Sequence, residues 1–268
     1  MESTIQPVPF AQLTHGGLTV VNPAWRAVPG LKHGITTRAA LPDHGKADLF
    51  QVVFRARDIG ALPLAVTLGG DQVHEDHVVT VTEPLHSSTR PPDFRYDAGL
   101  AAGEFPATDA LVTTLEGALL VIQTADCLPI FLIDPTTHTL GLAHCGWRGL
   151  RVNLTAKVVD AMRIAGAQLS QMQAWLGPCI RAERYEVGAE LAQEFRTAFP
   201  EAGASPNGTH LDLPAIARWQ LQQAGLAPEH VFDSGECTNA QVERYHSYRA
   251  QGPDAGRMLS FIGFFDQA

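Results

Sequence analysis

ALLVIQTADCLPIFLIDPTTHTLGLAHCGWRG, residues Ala118–Gly149, is the stretch whose reading decides the fold class. Ala118–Gln123 and Ile130–Ile133 are nearly all apolar and too short for ordinary helices, so they read as buried strands. The polar residues Asp126 and Cys127 fall between them, in a turn predicted over Asp126-Cys127-Leu128-Pro129. That places both at the end of a sheet. Asp134-Pro135-Thr136-Thr137 predicts a hairpin turn into a third strand, Thr139–Ala143. His144 leaves the end of that strand just before Gly146-Trp147-Arg148-Gly149, where Gly149 is read as permitting a close strand-to-helix approach.

Working outward, Leu18–Val21 and Val78–Val81 are short β-branched stretches. Asn153–Ala165 carries Leu154, Val158 and Met162 at helical spacing, with Gly166 as a stop. Ala189–Ala198 and Leu213–Ala224 read as helices, the second with Asp212 as N-cap and Pro214 close behind. No repeat, low-complexity tract or long linker interrupts the chain. A single mixed α/β domain over residues 1–268 is expected. The 45% hydrophobic content supports a sizeable core, and 18% charged residues are too few for a disordered chain. A net charge of −9 and a pI near 5.6, with no Lys/Arg run, argue against a nucleic-acid partner. Four separated cysteines (Cys127, Cys145, Cys179 and Cys237) suit a reducing compartment better than a disulfide framework. With no signal-peptide pattern and no long apolar run, a cytoplasmic protein without a membrane partner is expected.

Three short motifs carry the chemistry: Gly70-Asp71-Gln72-Val73-His74, Thr124-Ala125-Asp126-Cys127-Leu128-Pro129 and Ala143-His144-Cys145-Gly146-Trp147-Arg148-Gly149. A lone His or Cys is more often a core or surface residue. Here His74, Cys127 and His144 each sit beside Gly, Asp or Pro at a predicted strand end. Two imidazoles and a thiolate suit zinc, and three ligands leave a fourth position free for water or substrate. Copper is the alternative metal. Other readings stay open: a Cys–His nucleophilic pair, or a structural zinc closed by His77, Cys145 or Cys179. His77 otherwise reads as a residue behind the ligands or on the surface, and Cys145 as a small buried hydrophobe. Arg38 and Arg148 are candidates for holding an anion such as phosphate, against the plain alternative of structural ion pairs. Asp126 is a candidate for orienting a ligand histidine or accepting a proton, and Trp147 and Tyr185 for stacking on a flat ring.

Together the segments resemble the YfiH-type family, also called the multicopper polyphenol oxidase or purine nucleoside phosphorylase family. The pieces are His33-Gly34 with Thr37-Arg38, Gln72-Val73-His74, Thr108–Thr113, Thr124–Pro129, His144–Gly149, Gly177-Pro178-Cys179-Ile180, Tyr185–Gly188, Leu211–Leu213, Cys237-Thr238, Ser247-Tyr248-Arg249 and Gly256-Arg257. The resemblance implies a layered α/β/β/α fold with mixed sheets and one zinc on His74, Cys127 and His144. The first 30 or so residues would be peripheral. It implies phosphorolysis of adenosine, inosine, guanosine and methylthioadenosine, plus deamination of adenosine. The partners would be small molecules, purine nucleosides and phosphate, with Gln72 and Arg38 among the substrate contacts. Older assignments to the family are polyphenol oxidation as a laccase and editing of peptidoglycan precursors. The chain departs from the family pattern at Cys145, where alanine is usual, and at Tyr245–Ala250. It also lacks the Ser-Leu-Asn-Leu segment, and Phe54-Arg55 is the nearest match to the Asn-Arg pair.

Overall fold

The computed structural model describes residues 19–40, 66–86, 90–92, 94–97, 100–202 and 208–265. Its strands are β1 (Thr19–Val20), β2 (Leu31–Thr36), β3 (Val66–Gly70), β4 (Val78–Val81), β5 (Arg95–Asp97), β6 (Leu100–Phe105), β7 (Ala110–Thr113), β8 (Ala118–Thr124), β9 (Leu128–Asp134), β10 (Thr139–Cys145), β11 (Gln173–Leu176), β12 (Val231–Asp233) and β13 (Met258–Phe264). They form a seven-stranded sheet, β1-β2-β13-β8-β3-β6-β5, and a six-stranded sheet, β12-β11-β9-β10-β7-β4. Both sheets are mixed, with β3 parallel to β6 and β8 in one and β4 parallel to β7 in the other. Phe54-Arg55 lies outside the described residues.

The opening stretch folds as two strands that part company. β8 belongs to the seven-stranded sheet and β9 to the six-stranded one, so Ala125-Asp126-Cys127 is a corner between sheets, not a turn within one. Leu128 and Pro129 belong to β9 and not to the turn. The reason is burial. Leu120 and Ile122 of β8 share one core with Phe131 and Ile133 of β9, which is possible only if the two strands face each other. Alternate residues of β9, Ile130 and Leu132, enter a second core on the other side. A strand covered on both faces is apolar throughout, which explains the unbroken run.

Five helices follow among the described residues: α1 (Trp147–Arg151), α2 (Leu154–Ile164), α3 (Ala189–Ala198), α4 (Leu213–Gln223) and α5 (Tyr248–Gln251). Val158 and Met162 of α2, Phe195 of α3 and Ile216 and Leu221 of α4 join Ile130 and Leu132 in the second core. Among the described residues the layers are therefore helices, six-stranded sheet and seven-stranded sheet. Asp212 caps α4 through its carboxylate, which accepts from the Ala215 N–H at 3.0 Å. Asn153 precedes α2 in the left-handed region, φ 56°, and Gly166 follows it at φ 105°. Among the described residues no helix is long and apolar enough to cross a membrane.

His33 on β2 ties stability to pH. Its ring lies 5.4 Å from Trp25 and 5.9 Å from Trp175, and Nε2 accepts from the Asn22 N–H at 3.1 Å. Burial lowers its pKa from 6.5 to about 4, with Arg26 adding to that and the Asn22 contact opposing it. The unfolded chain takes up this proton near pH 6.5, whereas the folded chain refuses it until about pH 4. Stability from this group is therefore complete above pH 6.5 and drains away as pH falls toward 4, by about 3 kcal/mol at most. Melting temperatures across that window should fall, and fall less in a His33→Gln variant. Parallel curves for the two proteins would count against a neutral buried His33.

Candidate metal centre

His74, Cys127 and His144 come together, and their ligand atoms all lie within 4.8 Å of one another. Each arrives by a different route: His74 from the loop after β3, Cys127 from the corner between sheets, and His144 from the end of β10. The Cys127 Sγ is 4.0 Å from the His74 Nε2, and the two imidazole rings are 4.7 Å apart at 77°. Tetrahedral zinc with these donors needs edges of about 3.3–3.6 Å, so small side-chain adjustments would close the site. The donor set fits zinc. His74 is exposed, Cys127 partly exposed and His144 buried, so the site opens to solvent on one side.

No fourth protein ligand joins them among the described residues. His77 is exposed, with Nδ1 3.3 Å from the Thr108 hydroxyl, while Cys145 and Cys179 are buried in the helix-side core. A closed structural site at any of these three is thus not formed. Burial pushes the Cys145 and Cys179 thiols far up, which leaves them inert.

The carboxylate that orients a ligand histidine is Asp109, not Asp126. Asp109 Oδ1 lies 2.8 Å from His144 Nδ1, and its Oδ2 accepts from the Glu75 N–H at 2.8 Å. One buried side chain therefore fixes both the His144 ring and the loop carrying His74. Burial opposes the Asp109 charge, but His144 and the Glu75 and His74 amides hold its pKa below the usual range. An ionised carboxylate only accepts, so Nδ1 carries the proton and the Nε2 lone pair faces the other ligands. The signal was present in Thr108-Asp109-Ala110, an acid directly before an apolar strand, but nothing local linked it to His144.

Without metal, the cluster holds charge as a pair. Burial works against the Cys127 thiolate, yet His144 and His74 pull its pKa down from 9.0 to about 6. Burial also works against a charged His144, and Cys127 and Asp109 raise it from 6.5 to about 9. A metal would take the thiolate and displace the imidazolium proton, so binding releases protons and weakens as pH falls.

Gly146, the residue before α1, makes this cluster possible. A Cβ there would lie 3.0 Å from Cys127 Sγ and 3.5 Å from His74 Cδ2, whereas one on Gly149 would make only ordinary contacts from 3.5 Å. The close approach thus falls on Gly146 and not on Gly149. With φ −74° and ψ 179°, alanine at 146 is free of backbone strain, so its effect is on the thiolate alone. Gly146→Ala should weaken zinc affinity about tenfold, as read by competition with a chromophoric chelator. Unchanged affinity would contradict this packing.

The ligands face a cavity of about 410 Å³, walled by Trp147, Tyr185, Tyr248 and Ile180 and bordered by Arg148, Arg249 and Arg257. Arg38 is not among its lining residues. The Arg38 guanidinium instead donates to the Val242 carbonyl at 3.1 Å. Gln72 does line the cavity, but its amide is committed: Nε2 donates to the Gln123 carbonyl and Oε1 accepts from the Gln123 N–H, both at 2.7 Å. It fastens the His74 loop to β8. Asp126, at φ 84°, accepts from Thr238 Oγ1 at 2.6 Å, Ser247 Oγ at 3.0 Å and the Arg249 N–H at 2.7 Å. Its carboxylate thereby pins the C-terminal loops over the site. Sequence reasoning assigned no role to Tyr248, Arg249 or Arg257, although their motifs were visible.

Residues 51–265 match the family model described as multi-copper polyphenol oxidoreductase laccase. The chain belongs to the YfiH family. A purine nucleoside phosphorylase of Xylella fastidiosa is 38% identical over 165 residues, spanning 59% of this chain and 62% of that protein. The chain thus spans less than two thirds of that YfiH-family relative. A relative named adenosine deaminase RL5, from an unknown prokaryotic organism, is 30% identical over 219 residues, 75% of this chain and 79% of its own length. The crystal structure of the Bacillus licheniformis hypothetical protein YfiH superposes with a TM-score of 0.77 at 25% identity, covering 94% of this chain and 98% of that one. The YfiH fold expected from the sequence is the fold observed.

Proposed function

We propose that this protein is a zinc-dependent purine nucleoside phosphorylase that also deaminates adenosine. The observation that carries the reading is a three-ligand cluster open to a cavity with both aromatic and arginine walls. Its size lies in the usual range for small-molecule sites. Relatives named for both activities support the same reading. Zinc, when bound, supplies a Lewis acid at the open fourth position.

The chain's own residues do the rest. Asp109 keeps His144 in the tautomer that presents Nε2. Trp147, Tyr185 and Tyr248 offer flat faces to a purine, and the arginines hold phosphate against the ribose. In phosphorolysis a phosphate oxygen bonds to C1′ as the C1′–N9 bond breaks. The purine leaves with the bonding pair and takes a proton from water or phosphate. In deamination water adds at C6 and ammonia departs. Adenosine, inosine, guanosine and methylthioadenosine are the proposed nucleosides. A laccase reading has less support, because a four-electron oxidase needs several copper centres and the described residues offer a single three-ligand cluster.

The test is chromatography of adenosine incubated with zinc-loaded protein, with and without phosphate. Adenine with ribose 1-phosphate, formed only with phosphate, supports the phosphorylase, and inosine supports the deaminase. Unchanged adenosine in both incubations would overturn the proposal.

A further inference from the structure

Among the described residues, the three arginines at the cavity lack the carboxylate partner that several arginines elsewhere in this chain have. Arg151, Arg163, Arg181 and Arg244 each take a carboxylate partner: Glu194, Asp160, Asp233 and Glu236. Arg148, Arg249 and Arg257 have none among the described residues, in a chain of net charge −9. Asp126, the carboxylate in the cavity, already accepts from Thr238, Ser247 and Arg249. The cavity therefore keeps uncompensated positive charge.

Of the three, Arg257 is the one built in. It is half-buried just before β13, whereas Arg148 and Arg249 are exposed and lie over Trp147 and Tyr185 at 4.3 and 5.2 Å. Arg257 Nη1 donates to the Ala255 carbonyl at 2.6 Å and the Gly256 carbonyl at 2.9 Å. Those carbonyls are themselves fixed, because the buried His246 ring packs where a Gly256 Cβ would sit, with Cε1 at 2.5 Å from that position. One nitrogen is anchored, and the remaining N–H groups have no partner among the described residues. A guanidinium fork held this way is preorganised for a tetrahedral oxyanion. Burial disfavours its charge, so an anion in the cavity would recover free energy on pairing with it.

We infer that Arg257 is the phosphate-binding residue of this site, with Arg249 as a second arm. The inference rests on the phosphorylase reading. Phosphate takes part in phosphorolysis but not in deamination, so the two activities separate the effect on phosphate from any general damage.

Zinc-loaded wild type, Arg257→Ala and Arg257→Lys should be compared at equal zinc content and with melting temperatures in hand. In Arg257→Ala the phosphate KM should rise about 100-fold, the loss expected of hydrogen bonds to a charged group. The ratio of phosphorolysis to deamination should fall by a similar factor, and Arg257→Lys should lie between. A phosphate KM unchanged in Arg257→Ala, or both activities falling together, would overturn the inference. Should wild type turn over no nucleoside, the phosphorylase reading fails by itself, and calorimetry with inorganic phosphate alone still tests Arg257. Phosphate heat present in wild type and lost in Arg257→Ala supports it; equal heats, or none in either, overturn it.

Discussion

Replacing Cys127 with alanine is expected to empty the metal site and to cut both proposed activities by about 10³-fold or more. Cys127 supplies the only anionic donor of the three, and its thiolate is favoured before any metal arrives, with a pKa drawn down to about 6. Without it, two imidazoles remain, one of them exposed, and two neutral donors bind zinc far more weakly than a His₂Cys set. The loss should be local. The corner carrying Cys127 is held by Asp126 and by the Ile180 N–H donating to the Asp126 carbonyl at 3.0 Å, neither of which needs the thiol. Metal analysis after dialysis should read near zero, with a melting temperature close to that of the metal-free parent. Full turnover by the zinc-free variant would sink metal dependence.

Asp109→Asn should cost 10–100-fold in zinc affinity, about the usual loss for a carboxylate behind a ligand histidine. The geometry says why a nearly isosteric change matters. Both Asp109 oxygens accept, one from His144 Nδ1 and one from the Glu75 N–H. Asparagine has a single acceptor. If its oxygen keeps Glu75, its NH₂ faces Nδ1, and His144 must shift its proton to Nε2, where the metal lone pair is needed. If its oxygen keeps His144, the NH₂ meets the Glu75 N–H and the His74 loop moves. Affinity measured against pH separates this from simple unfolding. With the carboxylate gone, His144 holds its competing proton less tightly. The variant's affinity should therefore fall off only at a lower pH, while its plateau stays below that of wild type. Wild-type affinity in Asp109→Asn would rule the mechanism out.

Much of the site was legible because donor chemistry is local. His74, Cys127 and His144 could be picked out from their flanking Gly, Asp and Pro residues, and the three motifs together pointed to one family. Helices α2, α3 and α4 were legible within a residue or two, since period and caps are short-range properties. The parting of β8 and β9 was not. A run of apolar residues reads the same whether its partner strand lies beside it or across a core.

That difference sorts the remaining assignments. Which atoms are able to bind a metal is a matter of residue type, and the sequence alone named the candidates. Whether Asp109 or Asp126 reaches His144 depends on the packing of β7 against β10, where Ala110 lies opposite Ala143. Whether Arg38 or Arg257 reaches the cavity depends on how the chain leaves β2 and how it enters β13, although the two strands are neighbours in one sheet. Whether Gly146 or Gly149 must lack a side chain depends on where the Cys127 corner crosses between sheets. Each of these is a long-range contact, decided by burial of two cores at once, and only the tertiary structure contains it.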